Sequence, residues 1–311
     1  MTAPARQIRP AFRAAATAIA ALTVLACAPA FAQAPPAPAP QAQAPQPPAP
    51  PGPTPNAPDQ AGNKHPGGKP HPGGKPQPDA KGTSFVENFD RLDRSFWFVS
   101  NGWNNGAHQN CTWSQRQVTT DGGNLKLTFE ERQNKDRKNV CGEIQTRARF
   151  GYGTYEARYK SATGPGLNSA FFTYIGPTDK KPWDEIDFEV LGKNVDQVQL
   201  NQYINGKGKN EKIVPVAGGA DKGFNDYAFI WEPERLRYFL NGKLVQEVTD
   251  PSKIPQNAQK IFLSLWGSDT LKSWMGPFAY SGPTTMEIDR IAYTALGEDC
   301  AFPQSVLCTL D

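Results

Sequence analysis

The chain has 311 residues, of which 38% are hydrophobic, and its 33 Lys and Arg against 30 Asp and Glu leave a formal charge of only +3. Arg6, Arg9 and Arg13 account for that excess, and no acid occurs before residue 33, so the remainder is formally neutral. A neutral body argues against nucleic acid and against a basic membrane-surface patch, and the length suits one large or two small domains.

Residues 1–32 read as a secretory signal. The three arginines are followed by an apolar run, Ala14 to Ala26, and by an A-x-A cleavage site at Ala30-Phe31-Ala32. The run is too short to span a bilayer, and nothing later is apolar enough to do so. A lipoprotein reading through Cys27 is disfavoured, because Leu25 sits where a smaller residue is usual. The expected location is therefore extracellular or periplasmic, after cleavage near Ala32.

Residues 33–82 are rich in Pro, Ala, Gln and Gly and cannot build a core, so a disordered linker is expected. Its first part favours polyproline II and acts as a semi-rigid spacer. Its second part repeats HPGGKP at His65–Pro70 and His71–Pro76. A low-complexity linker explains the repeat more simply than a metal-binding or wall-binding tether.

From Ser84 the texture changes, and residues 83–311 read as one all-β domain. Leu125 to Phe129 alternates after a Gly122-Gly123 turn, and Tyr155 to Tyr159 alternates after Gly151-Tyr152-Gly153. Arg235 to Phe239 ends at Asn241-Gly242, a two-residue hairpin signal, and Leu244 to Val248 returns. Met286, Ile288, Ile291 and Tyr293 close the pattern. No helix longer than about two turns is expected, and many short strands with frequent turns predict a β-sandwich or barrel. Once Cys27 leaves with the signal, Cys111, Cys141, Cys300 and Cys308 remain. An even number in an exported chain suggests two disulfides, with Cys111–Cys141 and Cys300–Cys308 the favoured pairing. Zinc is a poor alternative, because the spacings do not fit and His108 is the only His in the folded part.

The stretch Trp183 to Gly192 carries the chemistry. Glu185, Asp187 and Glu189 alternate with Ile186, Phe188 and Val190, so a strand would show three acids on one face and three apolar side chains on the other. An acidic edge that blocks aggregation is the plainer reading, but the apolar partners argue for a central strand packed on a core. With a rise of about 3.3 Å per residue the two Glu Cα atoms lie roughly 13 Å apart. Each Glu arm reaches roughly 4 Å, so two arms leaning inward close to about 5 Å, the separation of a retaining glycosidase. Trp183 shares the acid face, and an aromatic beside acids suggests a sugar ring stacking there. Trp97, Trp113 and Trp231 are better read as core, whereas loop residue Trp103 is harder to dismiss.

These residues resemble glycoside hydrolase family 16 over about 84–295. The resemblance is to its bacterial endo-1,3-1,4-β-glucanases (licheninases), and closest to its endoglycanases of succinoglycan-type exopolysaccharides. It rests on W-D-E-I-D-F-E-V-L-G-K at Trp183–Lys193, N-C-T-W at Asn110–Trp113, F-F-T-Y at Phe171–Tyr174 with Gly176-Pro177, and N-Q-Y-I-N-G at Asn201–Gly206. It implies a concanavalin A-like jelly roll of two curved antiparallel sheets with a concave substrate cleft. It implies Glu185 as nucleophile, Glu189 as general acid/base and Asp187 as helper, with no bulge of the kind found in agarases and β-1,3-glucanases. It places Asn105, Glu143, Phe172, Trp183, Asn201, Tyr203, Trp266 and Trp274 along the cleft, with Trp103 replacing the commoner Tyr before Asn105. Cys111 and Cys141 match the family disulfide. Asp289, with backbone oxygens near Asn88 and Gly123, matches a structural calcium site on the convex side, while catalysis needs no cofactor. The chain departs from the licheninase pattern at Gln145, where an Arg is usual, and at Ser264, where an Asn is usual. The expectation is a monomeric, secreted, retaining endo-β-glycanase acting on a polysaccharide. A transglycosylase is a variant of that reading. A non-catalytic sugar-binding sandwich is the rival, with no reason to keep two glutamates at this spacing. A third reading has the Pro-rich segment bind a partner and the sandwich act as a structural cap.

Overall fold

The computed structural model describes Gln77 and residues 79–310. The expected signal at 1–32, Cys27, the His65–Pro76 repeats and nearly all of the expected linker lie outside the described residues. Its last residues, Gln77 and 79–82, already contact the folded body. Lys81 and Gly82 donate backbone N–H groups to the Arg149 carbonyl, Tyr152 N–H donates to Gln77 Oε1 at 2.7 Å, and Asp79 pairs with Lys181.

Sixteen strands occur among the described residues. In chain order they are β1 (Phe85–Glu87), β2 (Trp97–Val99), β3 (Cys111–Trp113), β4 (Val118–Asp121), β5 (Asn124–Asn134), β6 (Arg137–Thr146), β7 (Gly153–Lys160) and β8 (Leu167–Ile175). They continue with β9 (Asp184–Leu191), β10 (Gln197–Tyr203), β11 (Lys212–Pro215), β12 (Asn225–Glu232), β13 (Arg235–Leu240), β14 (Lys243–Val248), β15 (Lys260–Gly267) and β16 (Thr284–Ala295). The two α-helices among the described residues, α1 (Lys272–Met275) and α2 (Val306–Thr309), have four residues each.

The strands run side by side as β11-β10-β9-β8-β15-β6-β5-β16-β7-β12-β13-β14. The β5–β6 hairpin carries the ladder from one layer to the other, so the sandwich is a nearly closed, curved antiparallel sheet. The exception is β3, which runs parallel to β6. The alternation expected for β9 is what joins the layers. Ile186, Phe188 and Val190 are fully buried. The Phe188 ring lies 5.5 Å from both Tyr227 on β12 and Tyr238 on β13, and 6.1 Å from Phe171 on β8. Burying a side chain of this size contributes about 1.5–3 kcal/mol. Trp97, Trp113 and Trp231 are fully buried too, as core residues.

The Asn241-Gly242 turn joins β13 to β14 with φ of 49° and 75°. Positive φ at both positions is what a tight hairpin matched to the strand twist requires, and Asn and Gly tolerate it. Both disulfides are formed as paired above. Cys111–Cys141 ties β3 to β6 across 30 residues, a loop length for which cross-linking stabilises by about 3–4 kcal/mol in the chain-entropy picture. Cys300–Cys308 closes the C-terminal loop, which covers the outer side of the second layer. There Val306 packs on Ala228, Ile230 and Phe239, and Ser305 Oγ donates to the buried Glu156 carboxylate at 2.7 Å.

Candidate active site

Strand β9 pairs with β8 and β10 without a register shift from end to end. With a period of two, Glu185, Asp187 and Glu189 therefore share one face. The pairing sets three rows of side chains across the layer. Glu189 lies beside Gln199 on β10 and Ala170 on β8, followed by Ser264 on β15 and Glu143 on β6. Asp187 lies between Asn201 and Phe172, with Phe262 and Gln145 beyond. Glu185 lies between Tyr203 and Tyr174. Glu143, Phe172, Asn201 and Tyr203 thus fall on the acid face, as do Gln145 and Ser264.

The cleft over the acids is bordered by His108, Ala170, Phe172, Trp183, Tyr203, Trp266, Leu271 and Trp274. Trp103, Asn105, Glu143 and Asn201 do not border it directly. Trp103 packs edge-on against Trp113 at 6.3 Å, and Asn105 N–H donates to Gln109 Oε1. Asn201 Oδ1 accepts from the backbone N–H groups of Gln202 and Asn210, which holds the loop after β10. Glu143 is buried and accepts a 2.6 Å bond from Ser100 Oγ, and burial pushes its carboxyl up to about 8. It is therefore a neutral hydrogen-bonding group at pH 7.

Trp183 does more than offer a platform. Its ring stacks on Tyr203 at 4.7 Å and 13°, so one face is taken, and its Nε1–H donates to Glu185 Oε2 at 2.6 Å. The neighbouring Asp187 carboxyl interacts with Glu185 as well, which lowers the pKa of Glu185 and raises that of Asp187. Burial raises all three carboxyls above their usual range, with repulsion from the neighbouring acids of β9 adding to it at Glu185 and Asp187, and Asp187 goes well above. The Trp183 donor favours the ionised form of Glu185, against burial, which pushes its carboxyl up to about 8. Burial and the charge of Glu211 push Glu189 up to about 7, against the effect of Asn168, whose Nδ2–H donates to Glu189 Oε1 at 2.8 Å. The strand thus supplies two oriented carboxyls on one face, four residues apart, both raised toward neutrality by burial. Such a pair can attack an acetal carbon and protonate its leaving oxygen.

The loop aromatics are fixed by their own contacts. Trp274 Nε1–H donates to Gln199 Oε1 at 2.8 Å, the Trp266 and Trp274 rings are 6.1 Å apart, and His108 lies edge-on to Trp266 at 5.8 Å. His108, Asn168, Gln199 and Leu271 are site residues that the motifs missed. A signal for Asn168 existed, since counting back by twos from Phe172 along β8 reaches Ala170 and then Asn168. Burial and Arg137 lower the His108 pKa, so its imidazole is neutral at pH 7.

On the convex side Asn88 is exposed, and Asp289 sits at the register irregularity between Ile288 and Arg290 of β16. The Asp289 carboxylate pairs with Arg158 Nε at 3.1 Å. A calcium ion there would meet the Asp289 carboxylate, already facing a cation, with the Asp90 carboxylate beside Gly123. Among the described residues no group of three or more His, Cys, Asp and Glu is placed to hold a metal, and no helix is long and apolar enough to cross a membrane.

The family profile described as glycosyl hydrolases family 16 matches residues 105–290. The endo-1,3-1,4-beta-glycanase ExoK of Rhizobium meliloti (strain 1021) is 66% identical over 228 residues, covering 73% of this chain and 85% of that protein. The beta-glucanase of Bacillus subtilis (strain 168) is 38% identical over 214 residues, covering 68% of this chain and 87% of that protein. The solved structure of Bacillus licheniformis beta-glucanase superposes with a TM-score of 0.66 at 37% identity, covering 69% of this chain and 99% of that one. A profile match spanning the whole acid face, on the same fold, leaves one conclusion: the chain is an enzyme that belongs to glycosyl hydrolase family 16 and needs no catalytic cofactor.

Proposed function

We propose that the chain is a retaining endo-β-glycanase that cleaves β-1,4 bonds in β-1,3/1,4-linked glucans or in a succinoglycan-type exopolysaccharide. The observation that carries this reading is the placement of Glu185, held by the Trp183 N–H, and Glu189, held by the Asn168 N–H, four residues apart on one unbulged strand face. Glu185 attacks the anomeric carbon, and protonated Glu189 gives its proton to the leaving oxygen. Water, deprotonated by the Glu189 carboxylate, then releases the sugar from Glu185. Asp187 orients Glu185 and modulates its charge. Trp183, Tyr203, Trp266, Trp274 and Phe172 supply ring faces and edges for the sugars, while Trp103, Asn105, Glu143 and Asn201 act from the rim and floor. The name of the Rhizobium meliloti relative supports the mixed linkage. Digestion of mixed-linkage glucan, succinoglycan and a pure β-1,3-glucan, followed by mass spectrometry, tests the substrate. Hydrolysis products of a few sugars are expected from the first two, with the third left intact. Cleavage of the pure β-1,3-glucan alone would refute it.

We infer further that residues 1–32 direct export, that 33–82 tether a monomeric catalytic domain, and that it works outside the cytoplasm. Two formed disulfides fit such an oxidising setting. Any calcium held by Asp289 and the backbone oxygens near Asn88 and Gly123 is structural. Because it competes with Arg158, chelation is expected to lower Tm by only about 2–4 °C, the shift for roughly 1 kcal/mol in a domain of this size, with turnover at 25 °C unchanged. A Tm that does not respond to chelator and calcium would dismiss the site.

A further inference from the structure

Asn168 is fully buried on β8, and its one side-chain hydrogen bond runs from Nδ2 to Glu189 Oε1 at 2.8 Å. Its Oδ1 is buried with no partner. An amide buried with half its hydrogen-bonding capacity unused opposes folding, and a Leu of similar volume would avoid that penalty. With no exposed surface, Asn168 offers a sugar nothing to touch. What it contacts is one oxygen of the carboxyl assigned to proton transfer.

Resting on the assignment of Glu189 as acid/base, we propose that Asn168 is a positioning residue, which holds the Glu189 carboxyl in place and stabilises its ionised form as the proton leaves. In the first step the proton passes from Glu189 to the leaving oxygen, and the bond from Asn168 strengthens as charge develops. An interaction that is stronger in the transition state than before it lowers the barrier. In the second step Glu189 takes a proton from water, and the same bond weakens. Asn168 therefore assists departure of the leaving sugar and does not assist release from Glu185.

The other groups facing Glu189 leave this task to Asn168. Glu185 and Asp187 lie along β9, Tyr203 on β10 with Glu211 beyond it, and Tyr159 on β7. None of these favours a negative charge on Glu189. His108 across the cleft is held neutral.

Asn168→Leu and Asn168→Asp test the idea on a mixed-linkage oligosaccharide and on its dinitrophenyl glycoside, whose leaving group departs without a proton. Both variants should lose about tenfold or more in kcat on the oligosaccharide with KM nearly unchanged, the low end of what proton transfer contributes. On the dinitrophenyl glycoside kcat should stay within about twofold of wild type, because leaving-group protonation is not needed there. Removing a donor to the charged form raises the pKa of Glu189, so the alkaline limb of kcat/KM should move up by about half a pH unit or more. The Asn168→Leu protein should melt no lower than wild type. An unmoved alkaline limb with equal losses on both substrates would overturn the proposal. Asn168→Asp keeps the side-chain shape should Asn168→Leu fail to fold. A parallel Glu189→Ala protein that loses the oligosaccharide but still releases a burst of dinitrophenol from the dinitrophenyl glycoside shows that Glu189 is the acid/base even where Asn168 fails its own test.

Discussion

Glu185→Gln is expected to bind mixed-linkage oligosaccharides like the wild type and to turn them over on the order of 10⁵-fold more slowly, as removal of a nucleophile does elsewhere. Gln has the shape of Glu, and its amide oxygen can still accept the Trp183 indole N–H, which donates at 2.6 Å in the wild type. It cannot form the glycosyl ester. The change also replaces a buried carboxyl that burial disfavours in its charged form by a neutral amide, so the variant should melt at or above the wild-type temperature. Calorimetric titration with oligosaccharide, single-turnover kinetics and thermal melting check the three parts. Turnover within tenfold of wild type would remove Glu185 from the nucleophile role.

The second large effect belongs to Glu189. Glu189→Ala should lose about 10³-fold in kcat/KM on polymer, within the range that a positioned acid supplies. With burial and Glu211 holding Glu189 up to about 7, wild-type kcat/KM falls as pH rises through that value, because the proton needed by the leaving oxygen is lost. The Ala variant has no such proton to lose, so its alkaline limb should flatten. The dinitrophenyl glycoside should still form the glycosyl-enzyme, which then accumulates because no base activates water. Azide placed in the emptied space needs no base and should restore turnover, giving a glycosyl azide of retained configuration. Equal losses on activated and natural leaving groups would assign proton transfer to another group.

Much of this was legible in particular residues, for reasons of geometry. The period-two run of β9 needed no partner to be read, since alternation within a strand fixes which side chains share a face. Asn241-Gly242 was equally local, because its two positive φ values are a property of the dipeptide. The buried Trp97, Trp113 and Trp231 followed from bulk alone. What stayed hidden depends on register between strands distant in sequence. The row that links Glu189 to Ala170, Ser264 and Glu143 joins strands whose order in space is not their order in the chain. The Trp183 ring read as an open sugar platform. Its stacking on Tyr203 needed the register that sets the end of β10 beside the start of β9. Asn168 carried no motif, and its importance lies in a diagonal contact to the next strand. The seating of Val306 against Ala228, Ile230 and Phe239 is a long-range contact of the same kind.

The double displacement through Glu185 is tested most directly by proton NMR of the first product released from a β-linked oligosaccharide, recorded before mutarotation. Attack by Glu185 and then by water inverts the anomeric carbon twice, so the β anomer should appear first and the α anomer grow in later. Initial appearance of the α anomer would mean a single displacement by water, and would contradict a covalent role for Glu185.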